Sequence, residues 1–264
     1  MTVTSRRAHL TAGENARLDA VASYGIVGTA PEPDLVLIAQ MAADLCGVPQ
    51  AVVNIIGSDR QYQVATHGIS AGVCAREDSM CAVTITEPAA VVVADASADP
   101  RFRSNPFVTG EIDSVRFYAS THLRTPAGRV IGTLCVFDSE PRTIDDAQRT
   151  SLDRLARMAV NVMEVRRYSR VLAEALTERD RTLMVLRQAH TELERSNRAL
   201  SQVAGKISHD LRNPLTGVIG FLDMATETAG VTADEDAKVM LGRAMAASNR
   251  MQALIEEVLD RAAS

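Results

Sequence analysis

Around position 209 the chain reads Ser-His-Asp-Leu-Arg-Asn-Pro, which sets an imidazole, His209, directly beside a carboxylate, Asp210. A neutral imidazole is a nucleophile near physiological pH. A neighbouring carboxylate can hydrogen-bond it, take up its proton and fix its tautomer. The remaining soft or titratable groups form no comparable set. Cys46, Cys74, Cys81 and Cys135 are irregularly spaced with no CxxC, and neither they nor His67 and His122 follow a structural zinc pattern. Cys81 reads as a small buried residue rather than an attachment point for a chromophore. Gly28 and Gly132 are isolated, so no glycine-rich phosphate loop is present in the 264 residues.

A histidine on a helix surface is ordinarily only a surface residue, so its meaning depends on the element that carries it. After Pro141, about seventy residues pass without proline until Pro214, with Gly205 the one glycine between. Leu176, Leu183, His190, Asn197, Ala204 and Leu211 at a, with Leu172, Arg179, Leu186, Leu193, Leu200 and Ile207 at d, make nine of twelve seam positions apolar. That pattern predicts a parallel two-stranded coiled coil, with Asn197 as a register-fixing polar residue. In the same register His209 falls at f, farthest from the seam, and is predicted to face solvent. Pro214, which lacks an amide donor, is predicted to kink the helix beside it.

A second helix is predicted from near Thr232, capped with Glu235, to about Ala262. Its apolar face, Met240, Ala244, Ala247, Met251, Leu254 and Val258 with Leu241, Met245, Ile255 and Leu259 beside them, is wider than a two-helix contact requires. Helices over 206–228 and 234–262 therefore predict an antiparallel hairpin, and two hairpins from a homodimer would close a four-helix bundle.

The first 142 residues differ, holding eight of the nine prolines. Thr11 with Glu14 predicts a capped helix through about Ser23. Asp34 opens another with the stripe Leu35, Ile38, Ala39, Ala42 and Leu45. β-Branched runs predict strands over 51–56, 62–66, 90–95, 117–123 and 130–137, with short connections at Asp59–Arg60 and Thr125–Arg129 that suit antiparallel hairpins. Thr143 with Asp146 predicts the start of the long helix. The fold class is α+β: an antiparallel sheet flanked by helices, joined by a long coiled-coil helix to a helical hairpin. The expected divisions are 1–142, 143–204 and 205–264.

With 28 Lys plus Arg against 33 Asp plus Glu, net charge −5, the chain has no basic footprint for nucleic acid. Its polar, helical start is not expected to be a signal peptide, and no run approaches the ~20 apolar residues of a membrane span. A cytoplasmic protein with reduced cysteines is the expectation.

Residues 206–222, KISHDLRNPLTGVIGFL, resemble the phosphoacceptor box of the HisKA dimerisation and histidine-phosphotransfer domain of two-component sensor histidine kinases, and 249–260, NRMQALIEEVLD, resemble its second helix. The resemblance implies that His209 accepts the phosphoryl group, that Asp210 assists the transfer, and that Asn213 orients water for dephosphorylation of the partner. The runs 17–56, 100–110 and 116–142 resemble a GAF sensory domain. That resemblance implies an unidentified small ligand, for which Asp95, Asp99, Arg101 and Arg103 are weak loop candidates. No nucleotide-binding boxes of a kinase follow, so no cofactor is expected in this chain. ATP and Mg²⁺ are expected only with a separate catalytic domain or a receiver, and the chain is not expected to phosphorylate itself unaided. The expected partners are a second copy, a response-regulator receiver and a kinase catalytic domain in trans. The other reading is a non-catalytic GAF-containing adaptor that binds a response regulator or another kinase.

Overall fold

A computed structural model describes residues 11–227 and 234–263, with side chains through Val258 in the last helix. Thr232 and the connection 228–233 lie outside the described residues, as does the side chain of Leu259. The chain divides into two compact units, Met1–Ala175 and Leu176–Ser264.

In the first unit, helices α1 (Ala12–Tyr24) and α2 (Pro33–Cys46) precede strands β1 (Gln50–Ile56), β2 (Arg60–His67) and β3 (Val73–Ala75). Short helix α3 (Met80–Thr84), strand β4 (Val91–Val93), short helix α4 (Pro106–Thr109), and strands β5 (Phe117–Arg124) and β6 (Val130–Asp138) follow. All pairings are antiparallel, in the order β3-β2-β1-β6-β5-β4. The central strands β1 and β6 are buried on both faces, which explains why their sequences are near-continuous apolar runs rather than alternating ones.

Their alternation sorts side chains into two cores. Ala51, Val53, Ile55, Leu134 and Val136 pack under α1, α2 and the start of the long helix α5 (Asp146–Glu227), which contributes Leu152, Leu155, Ala156, Ala159, Val160 and Met163. Val52, Ile56, Cys135 and Phe137 point the other way, into a smaller core with Met80, Cys81, Phe102, Val108 and Tyr118.

Local chemistry fixes the element ends. Thr11 caps α1, its hydroxyl accepting from the Glu14 amide at 3.3 Å, and Gly25 closes the helix at φ 58°. The Glu14 carboxylate takes the Arg17 guanidinium at 2.7 Å and Arg76 at 2.6 Å, while Arg17 donates onward to the Ile56 carbonyl at 2.6 Å. Glu14 is thereby held down at about 2, chiefly by Arg17.

Three sequence expectations need correction. Leu45 is 39% exposed, and α2 completes its buried stripe with Ala43 and Cys46, because the 3.6-residue period from Leu35 through Ala42 returns at position 46 rather than 45. The long helix is capped by Asp145, not Thr143: the Gln148 amide donates to its carboxylate at 2.7 Å, and the Asp145 amide to Gln148 Oε1 at 2.9 Å, a reciprocal capping box two residues later than expected. Strand β3 and helices α3 and α4 were not anticipated, being too short to show a period.

The second unit consists of α5 beyond Leu176 and helix α6 (Glu235–Ala263). Helix α5 runs on through Pro214. The start of α6 is capped by Asp234, whose carboxylate accepts from the amides of Asp236 and Ala237 at 3.0 and 3.2 Å. The seam leucines are open in the single chain: Leu183, Leu186, Leu193 and Leu200 are all exposed. Arg179 pairs with Asp180 and His190 with Glu194 on their own helix. Among the described residues, no helix is long and apolar enough to cross a membrane.

Candidate functional site

On α5 the two long faces have different fates. Ile207, Ser208, Leu211, Pro214, Leu215 and Val218 line one side of an apolar groove of about 510 Å³, closed by Met251, Leu254, Ile255 and Val258 of α6. Ser208 and Leu215 are the most buried of the α5 group. His209 does not line this groove. Its side chain is 74% exposed, in keeping with the f position.

Asp210 lies beside it, its carboxylate 3.3 Å from His209 Nδ1. That contact engages Nδ1, so Nε2 is the ring nitrogen that does not face Asp210. Asn213 is exposed one turn on, and residues four apart share a helix face, so its amide lies on the same exposed stretch as His209. The structure thus places the three predicted residues on one short exposed stretch, with Asp210 in contact and Asn213 adjacent. Leu215 and Val218, by contrast, face α6, because they continue the seam stripe and not the histidine's face.

A second polar concentration, in the first unit, was not found by sequence reasoning. Between the sheet and helices α3 and α4 lies a cavity of about 40 Å³ lined by Val52, Asn54, Gln61, Gln63, Met80, Cys81, Phe107, Val115, Tyr118, Cys135 and Phe137. The loop candidates do not contribute. Arg101 pairs with Asp99 at 2.7 Å and with Glu87 at 3.5 Å, and Asp95 accepts from Ser97, so these side chains satisfy one another in an exposed loop. The available signal was Asn54, a lone polar residue in the apolar run AVVNII and 1% exposed, since a buried polar side chain is more informative than a buried apolar one. Among the described residues, no group of three or more His, Cys, Asp or Glu could hold a metal ion.

Comparison with known families agrees with both halves. The GAF domain family matches residues 35–163, and the His Kinase A (phospho-acceptor) domain family matches residues 199–264. The chain contains an N-terminal GAF domain and a HisKA phosphoacceptor domain, an arrangement consistent with the sensory and phosphotransfer portion of a two-component histidine kinase.

Among individual proteins, a cyclic di-GMP phosphodiesterase of Pseudomonas aeruginosa is 40% identical over 113 residues, which are 42% of this chain and 19% of that protein. The chain therefore matches only about a fifth of the length of this curated relative. Similar solved structures include the GAF domain of an Acinetobacter phosphoenolpyruvate-protein phosphotransferase, 13% identical, TM-score 0.43, covering 62% of this chain and 99% of that one. The GAF domain of Thermosynechococcus elongatus PixJ in its blue-light-absorbing form is 12% identical, TM-score 0.45, covering 64% and 98%.

Proposed function

We propose that this chain relays a signal from its GAF domain to phosphoryl exchange at His209. The observation that carries the reading is the exposure of His209 beside Asp210 on a helix whose other side lines the groove with α6. Transfer from a receiver's aspartyl phosphate is an in-line displacement, which needs a nucleophile that projects into the partner's acidic pocket rather than one sunk in a cleft. In that displacement His209 Nε2 forms the N–P bond as the P–O bond to the receiver carboxylate breaks. Asp210, at Nδ1, stabilises the imidazolium character that develops. Asn213 orients water for hydrolysis of the receiver's acyl phosphate.

Two copies pair through the a/d seam and the wide hairpin faces into a four-helix bundle. In this reading residues 1–142 sense, 143–204 connect and 205–264 accept phosphate. ATP and Mg²⁺ enter only through a catalytic domain acting on His209 or through a receiver. Four free cysteines, three of them buried, support a reducing, cytoplasmic setting.

The test is phosphoryl labelling. Incubated alone with ATP and Mg²⁺, the 264-residue chain is expected to stay unlabelled. Given a kinase catalytic domain in trans, or a phosphorylated cognate receiver, it should acquire an acid-labile, base-stable phosphoryl group that His209→Gln abolishes. Labelling that survives His209→Gln refutes the site. Asn213→Ala should slow receiver dephosphorylation more than transfer to His209, and equal losses would remove its separate role. If no receiver binds, the adaptor reading replaces this one.

A further inference from the structure

The cavity of the first unit brings two thiols together from distant parts of the chain. Cys81, on α3, and Cys135, on the central strand β6, have their sulfurs 3.8 Å apart, both side chains being buried. A disulfide requires about 2.05 Å, so a closing movement of roughly 1.8 Å joins them. Such a shift is within reach of a helix as short as α3, which is five residues long.

Their surroundings are unlike those of ordinary core cysteines. Tyr118 Oη donates to Cys81 Sγ at 3.2 Å, and Asn54 Nδ2 lies 3.4 Å from Cys81 Sγ and 3.2 Å from Cys135 Sγ. The hydrogen bond with Cys135, with further ones from Tyr118 and Asn54, draws the Cys81 thiol below its usual range despite burial. Cys135 is pushed well above it, chiefly by its neighbour Cys81. The two thiols are thus shifted in opposite directions, Cys81 toward ionisation and Cys135 away from it, the asymmetry that an attacking and a resolving cysteine need. Asn54 Oδ1, on a side chain 1% exposed, finds no donor among the described protein groups.

We propose that Cys81 and Cys135 form a redox-active pair that reacts with a small peroxide admitted to this cavity. About 40 Å³ is roughly three times the ~10–15 Å³ that one water needs, enough for a molecule of peroxide size, and the half-exposed Gln63 and Phe107 in its wall give a route inward. Asn54 Oδ1 is the acceptor for the peroxide's O–H. In the first step the Cys81 sulfur forms an S–O bond as the O–O bond breaks, and the departing hydroxide takes up the proton that the Cys81 thiol gives up, leaving as water. Cys135 sulfur then attacks Cys81 sulfur. The S–S bond forms, the S–O bond breaks, and the hydroxide released takes up the Cys135 proton. The two thiols lose two electrons and the peroxide becomes two waters.

The test uses the full chain and hydrogen peroxide, followed by thiol counting and peptide mapping. Two of the four thiols should disappear, with one cross-linked peptide pair carrying Cys81 and Cys135, lighter by two hydrogens and restored by dithiothreitol. Cys135→Ser should instead leave a sulfenic acid on Cys81 that dimedone traps. Cys81→Ser should slow oxidation of Cys135 by at least about tenfold, whereas Cys74→Ser should change nothing. A pair that stays reduced while Cys46 oxidises, or a Cys74–Cys81 bridge in its place, overturns the proposal. Mapping of the unmodified sequence decides the matter even if a variant fails to fold. None of these readouts depends on phosphorylation of His209.

Discussion

Replacing Leu200 tests the seam on which the dimer reading rests. In the single chain Leu200 is 65% exposed at a d position, with Leu193 59% and Ile207 53% exposed one heptad to either side. Fully burying a leucine is worth about 1.5–3 kcal/mol, so covering two-thirds of it contributes about 1–2 kcal/mol per chain and about 2–4 per dimer. Leu200→Ala keeps one methyl and should cost about 2–3 kcal/mol per dimer, raising the dissociation constant roughly 30- to 150-fold. Leu200→Asp adds two unpaired carboxylates in the seam at several kcal/mol more, which should leave no dimer at micromolar concentration. Gln202→Asp introduces the same charge at f, two residues away, and should change dissociation by no more than about twofold. Sedimentation equilibrium distinguishes the 28.4 kDa chain from its dimer, and circular dichroism checks that the helices persist. A parent chain that is monomeric with its hairpin folded, or a dimer indifferent to Leu200→Asp, would refute the seam.

Glu14 gives a pH prediction. Its carboxyl is depressed from 4.5 to about 2, so its contribution is fully present above 4.5 and fades as pH falls toward 2. Glu14→Gln should cost about 1–2 kcal/mol at pH 7 after solvent screening, and should flatten the urea stability profile across that acid window. Gly132→Ala should be far more damaging than its size suggests, because the new Cβ would stand 1.8 Å from the Asn54 carbonyl oxygen across the β1–β6 ladder. A loss of about 1–3 kcal/mol is expected, read as a lowered melting midpoint, and an unchanged midpoint would contradict the strand spacing.

How much of this could be read from the chain depended on whether a feature was local. The exposure of His209 followed from a heptad register fixed by its own helix, and the β1–β2 and β5–β6 hairpins followed from short turns between β-branched runs. Capping was half legible. Thr11 had one partner in reach, whereas Thr143 and Asp145 competed within two residues for the start of α5, and the Gln148 side chain decided between them by bonding back to Asp145. The cavity was not legible, because its walls come from β1, β2, α3, β5 and β6, and Asn54 meets Cys135 across 81 residues of sequence. Nothing in the spacing of four cysteines distinguished the pair at 3.8 Å from Cys46, which is buried alone in the other core.

The sheet itself links the cavity to the helix that leads toward His209. Along β6, Cys135 and Phe137 point into the cavity-side core while Leu134 and Val136 pack in the core that holds the first turns of α5. β1 repeats the arrangement, with Val52 on one side and Ala51 and Val53 on the other. In a close-packed interior a backbone cannot be displaced toward one face without altering contacts on the other. In the proposed pair, whatever part of the closing movement Cys135 takes up, rather than α3, shifts Leu134 and Val136 within the core that also holds Leu152, Leu155 and Ala156, at the root of an 82-residue helix. The β1–β2 register shifts opposite Val53 and Asn54, where β2 carries the extra residue Val64, so the irregularity in pairing lies beside the residue that bonds both cysteines. On the proposed redox reading, a change at the thiols would reach the root of α5 through one strand's thickness, from one face of β6 to the other.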